Sequence, residues 1–165
     1  MSKIFLNAGV FQAGWFLSVL FGNVIALMYA ALACLIYLRY FLTSKHDLSL
    51  FAAVLLVGFI GDSLLGLTGV LVHPNGLPFP PIWMVVLWLL FAMTLPWSLR
   101  PLIRRRGTFL ILCAVGGTLS YVAGVRLTPI SFGYTMLNST ILLAGLWLVH
   151  GSILLALVRR WELVK

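Results

Sequence analysis

The sequence predicts an all-α protein: a polytopic transmembrane helix bundle of six spans, with the N and C termini both cytoplasmic. Three observations predict it. Apolar residues make up 62 % of the 165 and Asp, Glu, Lys and Arg only 8 %, too little polar side chain to cover a surface facing water. The apolar residues fall into six runs, each near the ~20 residues that a helix needs to cross a bilayer, which leaves almost nothing for a soluble domain. The basic residues lie between runs and crowd into alternate connections, the bias that positive-inside sorting produces. Residues 1–165 therefore read as a single integral membrane domain.

The runs are Ile4–Phe21, Val24–Phe41, Ser49–Val72, Ile82–Leu99, Thr108–Val125 and Phe132–Val158. Gly22-Asn23 separates the first two, and the polar stretch Thr43-Ser44-Lys45-His46-Asp47 follows the second. His73-Pro74-Asn75-Gly76, with Pro78, Pro80 and Pro81, forms a rigid turn before the fourth, since proline fixes φ and removes a donor. Pro101 and Pro129 punctuate the rest. With the N terminus inside, the cytoplasmic segments hold Lys3, Arg39, Lys45, Arg100, Arg104, Arg105, Arg106, Arg159, Arg160 and Lys165, and the outer loops hold only Arg126. Fusing the first two runs would spoil that alternation. Tyr37, Tyr40, Trp83, Trp97 and Trp161 sit near span ends as interfacial anchors. Ala31-Leu32-Ala33-Cys34 mimics a processing site but lies deep in the second run, so no cleaved signal is expected.

The net charge of +8 does not mark a nucleic-acid binder, because the cations lie between apolar runs rather than on one amphipathic face. Arg100, Arg104, Arg105 and Arg106 are expected instead to meet lipid headgroups. Cys34 and Cys113 sit inside apolar runs, no Cys/His spacing suggests a metal, and no cofactor is implied.

Polar groups inside the runs are the candidate site. Asp62 lies near the middle of a span, where a carboxylate facing lipid is expensive, so it must face protein, water or a partner. Gly58, Gly66 and Gly69 share its helix face and invite another backbone. The carboxyl either carries a proton or orients a ligand, or it clamps helices together by hydrogen bonding. His150 in the last span packs against another helix or exchanges a proton. Gln12, with Asn7 before it, is an amide that needs a partner within the bundle. Asn138, Gly145 and Ser152 at seven-residue intervals, and Ala114, Gly117, Tyr121 and Gly124 on one face of the fifth run, read as packing seams. Asp62, His150, Gln12, Asn138 and Tyr121 are the candidate ligand or proton residues.

The stretch Pro80-Pro81-Ile82-Trp83, Leu87-Trp88-Leu89-Leu90-Phe91-Ala92, Thr94-Leu95 and Ser98-Leu99, with Phe11-Gln12-Ala13-Gly14-Trp15 and Gly61-Asp62-Ser63, resembles a family of small bacterial inner-membrane proteins of unknown function. That family typically has Asn-His after its Thr-Leu pair, where this chain has Pro96-Trp97. Its genes often lie beside cyclopropane-fatty-acid-synthase-like and flavin amine-oxidase-like genes, so the resemblance implies a link to membrane-lipid modification. Three functions follow. The leading one is a non-enzymatic membrane component, with membrane lipids, a second copy or a membrane enzyme as partner, that binds lipid or an apolar molecule or scaffolds lipid-modifying enzymes. The second is a proton-coupled transporter using Asp62, and the third an intramembrane lipid enzyme with Asp62 and His150 as acid and base.

Overall fold

Gly22 has φ 72°, a conformation that side chains other than hydrogen avoid, and it breaks the apolar stretch Ser2–Tyr40 (α1) into two helical halves. The halves fold back on one another. In this computed structural model, which describes residues 2–42 and 44–161, Lys3 Nζ donates to the Tyr40 carbonyl at 3.1 Å and the Tyr29 hydroxyl to the Val10 carbonyl at 2.8 Å. The break at Gly22-Asn23 thus makes a hairpin.

The other elements are α2 (Lys45–Leu67), β1 (Leu71–Val72), α3 (Ile82–Thr94), α4 (Arg100–Ile103), α5 (Arg106–Leu112), α6 (Thr118–Leu127), β2 (Ser131–Phe132) and α7 (Met136–Arg160). A π turn, Cys113–Gly117, joins α5 to α6. Four stretches, Lys3–Tyr40, Lys45–Leu67, Arg106–Leu127 and Met136–Arg160, are long and apolar enough to cross a membrane. The chain is a helical membrane protein, with the shorter apolar α3 at the centre of the bundle.

Several boundaries differ from the apolar runs, each for a backbone reason. The third run extends on paper to Val72 and the last starts at Phe132, but those ends pair as a two-stranded antiparallel ladder, Leu71 with Phe132 and Val72 with Ser131. Gly69, at φ 72°, turns the chain out of α2 toward it, so Gly69 serves a turn rather than a helix seam. The fourth run, read to Leu99, stops being helical at Thr94. Pro96 has no N–H for the Ala92 carbonyl, and Trp97 bonds back to Thr94 at 3.1 Å instead of to Met93. The freed Met93 carbonyl is taken by Asn7 Nδ2 at 3.1 Å, while Asn7 Oδ1 accepts from Ser98 Oγ at 2.8 Å. At the other end of α3, Pro81 offers no side-chain cap, and Asn23 Oδ1 accepts from Trp83 N at 3.0 Å in its place.

Asp47, read as part of a polar loop, is fully buried and accepts from the Tyr37 hydroxyl at 3.3 Å. Around it lies the basic end of the bundle. Trp97 Nε1 donates to the Phe41 carbonyl at 3.0 Å and Lys3 Nζ stands 5.5 Å from the Trp97 ring centroid. Arg39, Lys45, Arg100, Arg104, Arg105, Arg106, Arg159 and Arg160 belong to the segments at this end, whereas Arg126 belongs to the end that carries the ladder. Lys165 lies outside the described residues.

The loop after β1 holds His73, buried with both ring nitrogens lacking a hydrogen-bond partner among the described residues. Burial pushes its pKa below the ordinary 6.5. A locally opened loop therefore binds a proton more readily than the closed one, so the loop is most stable above about pH 6.5 and loses stability as pH falls through that value. The hydrogen-exchange protection of residues 70–76, corrected for the intrinsic rate at each pH, should fall below pH 6.5, and His73→Leu should remove the acid-dependent part. Protection that stays constant with pH in the native chain would contradict this.

Candidate functional site

Asp62 sits halfway along the bundle on α2 with 0 % of its surface exposed. Its carboxyl is held from two other helices: Trp88 Nε1 on α3 donates to Oδ2 at 2.8 Å, and the Tyr121 hydroxyl on α6 donates to Oδ1. Two donors reaching one carboxylate in an apolar interior satisfy part of what water would have provided.

The glycines explain how the rings get there. A Cβ at Gly58, one turn before Asp62, would collide with the Trp88 indole, and a Cβ at Gly117 would collide with the Trp147 indole. The two indoles stack on each other, 5.1 Å between centroids and 15° between planes. The centre is therefore a layer of glycine, indole, indole and glycine that joins α2, α3, α7 and the π turn. Gly61 performs the same service for His150, whose ring would meet a Cβ there. His150, 4 % exposed, stands edge-on to Trp88 at 5.3 Å and to Trp147 at 5.8 Å, and its Nδ1 has no hydrogen-bond partner among the described residues.

On one side of this layer lies a cavity of about 650 Å³ between the first half of α1, α3 and the α5–α6 stretch. It is long. Its wall runs from Phe109 to Val125 on one side, which at 1.5 Å per residue is about 24 Å of helix. Asp62, Tyr121, Ser120, Thr94, Ser98 and Gln12 give the wall its polar points. α1 and α6 touch only lightly, and the Trp15 Nε1 bond to Ser120 Oγ at 2.8 Å spans the seam between them. The π turn matters here because it sets Gly117 beneath Trp147 while Gly116 faces the cavity, with only Leu112 Cδ1 within 4 Å of a Cβ placed there.

The candidate residues separate clearly. Asp62 and Tyr121 are bonded to each other and line the cavity. His150 reaches the layer, and the wall of this cavity does not include it. Gln12 is exposed at the wall, and the buried amide is Asn7. Asn138 is exposed at the start of α7, where its N–H donates to Thr135 Oγ, and the buried polar residue there is Ser139. Gly145 and Ser152 are exposed too, with open space around Gly145, so the inner face of α7 runs through Ser139, Leu143, Trp147, His150, Gly151 and Leu154 instead. Gly58 and Gly117 are close-contact glycines, and Gly66 lies against the Pro78 carbonyl. Arg100, Arg104, Arg105 and Arg106 are exposed at the basic end. Residue types alone did not single out Trp88 and Trp147, whose partners are glycines on other helices.

The model of a family described as "Protein of unknown function (DUF2878)" matches residues 4–152, which include every residue of the Asp62 layer and of the cavity wall. No curated protein and no solved structure matches the chain.

Proposed function

The chain belongs to the DUF2878 family of proteins of unknown function, and from that premise and its own geometry we propose that it is a membrane protein that binds a lipid chain or another elongated apolar molecule. The cavity carries this reading. A space of about 650 Å³ lies within the ~300–1,000 Å³ of small-molecule sites, and a mostly apolar wall with a few polar points is the composition such sites have. Its length along the helices suits a chain-like ligand, and the lightly packed seam between α1 and α6 is the route by which a molecule dissolved in the bilayer enters. The basic end faces the cytoplasm, in a bilayer crossed six times, as the positive-inside bias requires. The resemblance adds the setting, a bacterial inner membrane.

Gly116→Leu tests the reading, because the new side chain enters the cavity without displacing backbone. The native chain purified in maltoside micelles should carry lipid detectable by native mass spectrometry. In the variant, occupancy should fall about tenfold, the equivalent of about 1.4 kcal/mol. Equal occupancy in both, or an empty native chain under lipid-supplemented conditions, would refute it.

A further inference from the structure

We infer that the occupant of the cavity is a cation: an amphiphile with a protonated amine or quaternary ammonium head and an apolar tail. This rests on the reading of the cavity as a ligand site and adds the charge of the ligand. The first observation is the charge of the wall. Asp62 is its one acid, and neither Lys, Arg nor His lines it among the described residues. A buried carboxylate without a counter-charge is costly in an apolar interior, and a cation arriving from outside the chain offsets that cost.

The second observation is the aromatic surface between Asp62 and the space. The wall includes the rings of Phe11, Trp15, Trp83, Trp88, Phe91 and Tyr121. Asp62 has no exposed surface of its own, and its two oxygens are bound to the N–H of Trp88 and the O–H of Tyr121. When ionised, Asp62 thus places its negative charge directly behind Tyr121, whose ring lines the cavity, and beside the edge of Trp88, whose faces are covered by Gly58 and Trp147. Ring faces attract cations, most strongly ammonium groups that retain little water, and a carboxylate hydrogen-bonded to the ring edge adds to that attraction in low dielectric. An ammonium head resting on Tyr121 leaves the long groove along α1 and α6 for the tail. A neutral amphiphile gains the tail contacts alone, and an anionic one is repelled.

Three probes of one tail length separate the possibilities: dodecyltrimethylammonium, 1-dodecanol and dodecanoate, each at the same micellar fraction in uncharged maltoside, with binding read by native mass spectrometry. The native chain should bind the ammonium about tenfold more tightly than the alcohol and the carboxylate most weakly. Asp62→Asn should bring ammonium and alcohol to near parity, and Gly116→Leu should weaken both. Alcohol and ammonium binding equally to the native chain, a measurement that needs no variant, overturns the charge preference and leaves the apolar site standing. An ammonium preference that survives in Asp62→Asn overturns it as well. If none of the three probes binds, or if Gly116→Leu changes nothing, the cavity itself is not a ligand site and both readings fall.

Discussion

Trp88→Ala should unfold the centre of the bundle, at a cost of about 3–5 kcal/mol for an emptied large aromatic site, with a further ~1–3 kcal/mol because Asp62 loses a donor. The size follows from the number of partners. The Trp88 indole is 4 % exposed, donates to Asp62 at 2.8 Å, stacks on Trp147 at 5.1 Å, and meets His150 at 5.3 Å. Removing it deprives α2, α3 and α7 of a shared contact at once. Trp88→Phe divides the effect, since it keeps a ring on Trp147 but cannot donate to Oδ2. Its expected cost is roughly 1–3 kcal/mol, that of a buried acceptor left short of a partner. Reversible unfolding in mixed anionic and maltoside micelles measures both. If Trp88→Phe matches the native chain, the hydrogen bond to Asp62 contributes nothing to stability. A double-mutant cycle with Asp62→Leu then isolates the pair, because the penalty of Trp88→Phe should shrink once no carboxyl remains to satisfy.

Two glycines that look alike in the sequence should respond oppositely to the same substitution. Gly58 lies against the Trp88 ring closely enough that a methyl there cannot fit without moving it, whereas a methyl at Gly145 meets nothing within 4 Å. Gly58→Ala is therefore expected to destabilise by about 1–3 kcal/mol, the usual cost of overpacking, and to shift the fluorescence of the displaced indole. Gly145→Ala should be neutral or stabilising by up to ~1 kcal/mol, since alanine is the better helix former. The same micellar unfolding assay reads both, with near-ultraviolet circular dichroism as the check on the indole pair. A Gly58→Ala variant as stable as the native chain, with unchanged aromatic signals, would mean that the layer tolerates slack and does not fix the position of Asp62.

Much of the architecture was legible before any coordinates, and its legibility has a cause. In lipid every backbone group must be satisfied within the chain, so apolar length, helix breakers and the placement of cations carry strong information. Gly22-Asn23 announced a break and Asp62 announced a buried polar centre, because a carboxylate or a strained turn has few tolerable places in a bilayer. Where backbone bonds depend on distant partners, the same reading lost precision. Leu71–Val72 and Ser131–Phe132 are too short to be recognised as strands alone, and Asn7 reaches Met93 across the bundle. Asp47 looked like loop because its partner Tyr37 stands on another helix.

Composition and the placement of breakers and cations settle the solvent, the apolar segments, the end that carries the cations and the need to shelter Asp62. Which helix faces turn inward emerges from packing across the bundle, and so does the arrangement in which Trp88, Tyr121 and Trp147 surround Asp62 while Gly145 and Asn138 face outward. The physical reason is that lipid is as apolar as a protein core. Hydrophobicity then separates span from loop but not inside from outside, and that second choice rests on shape: which glycine leaves room for which ring.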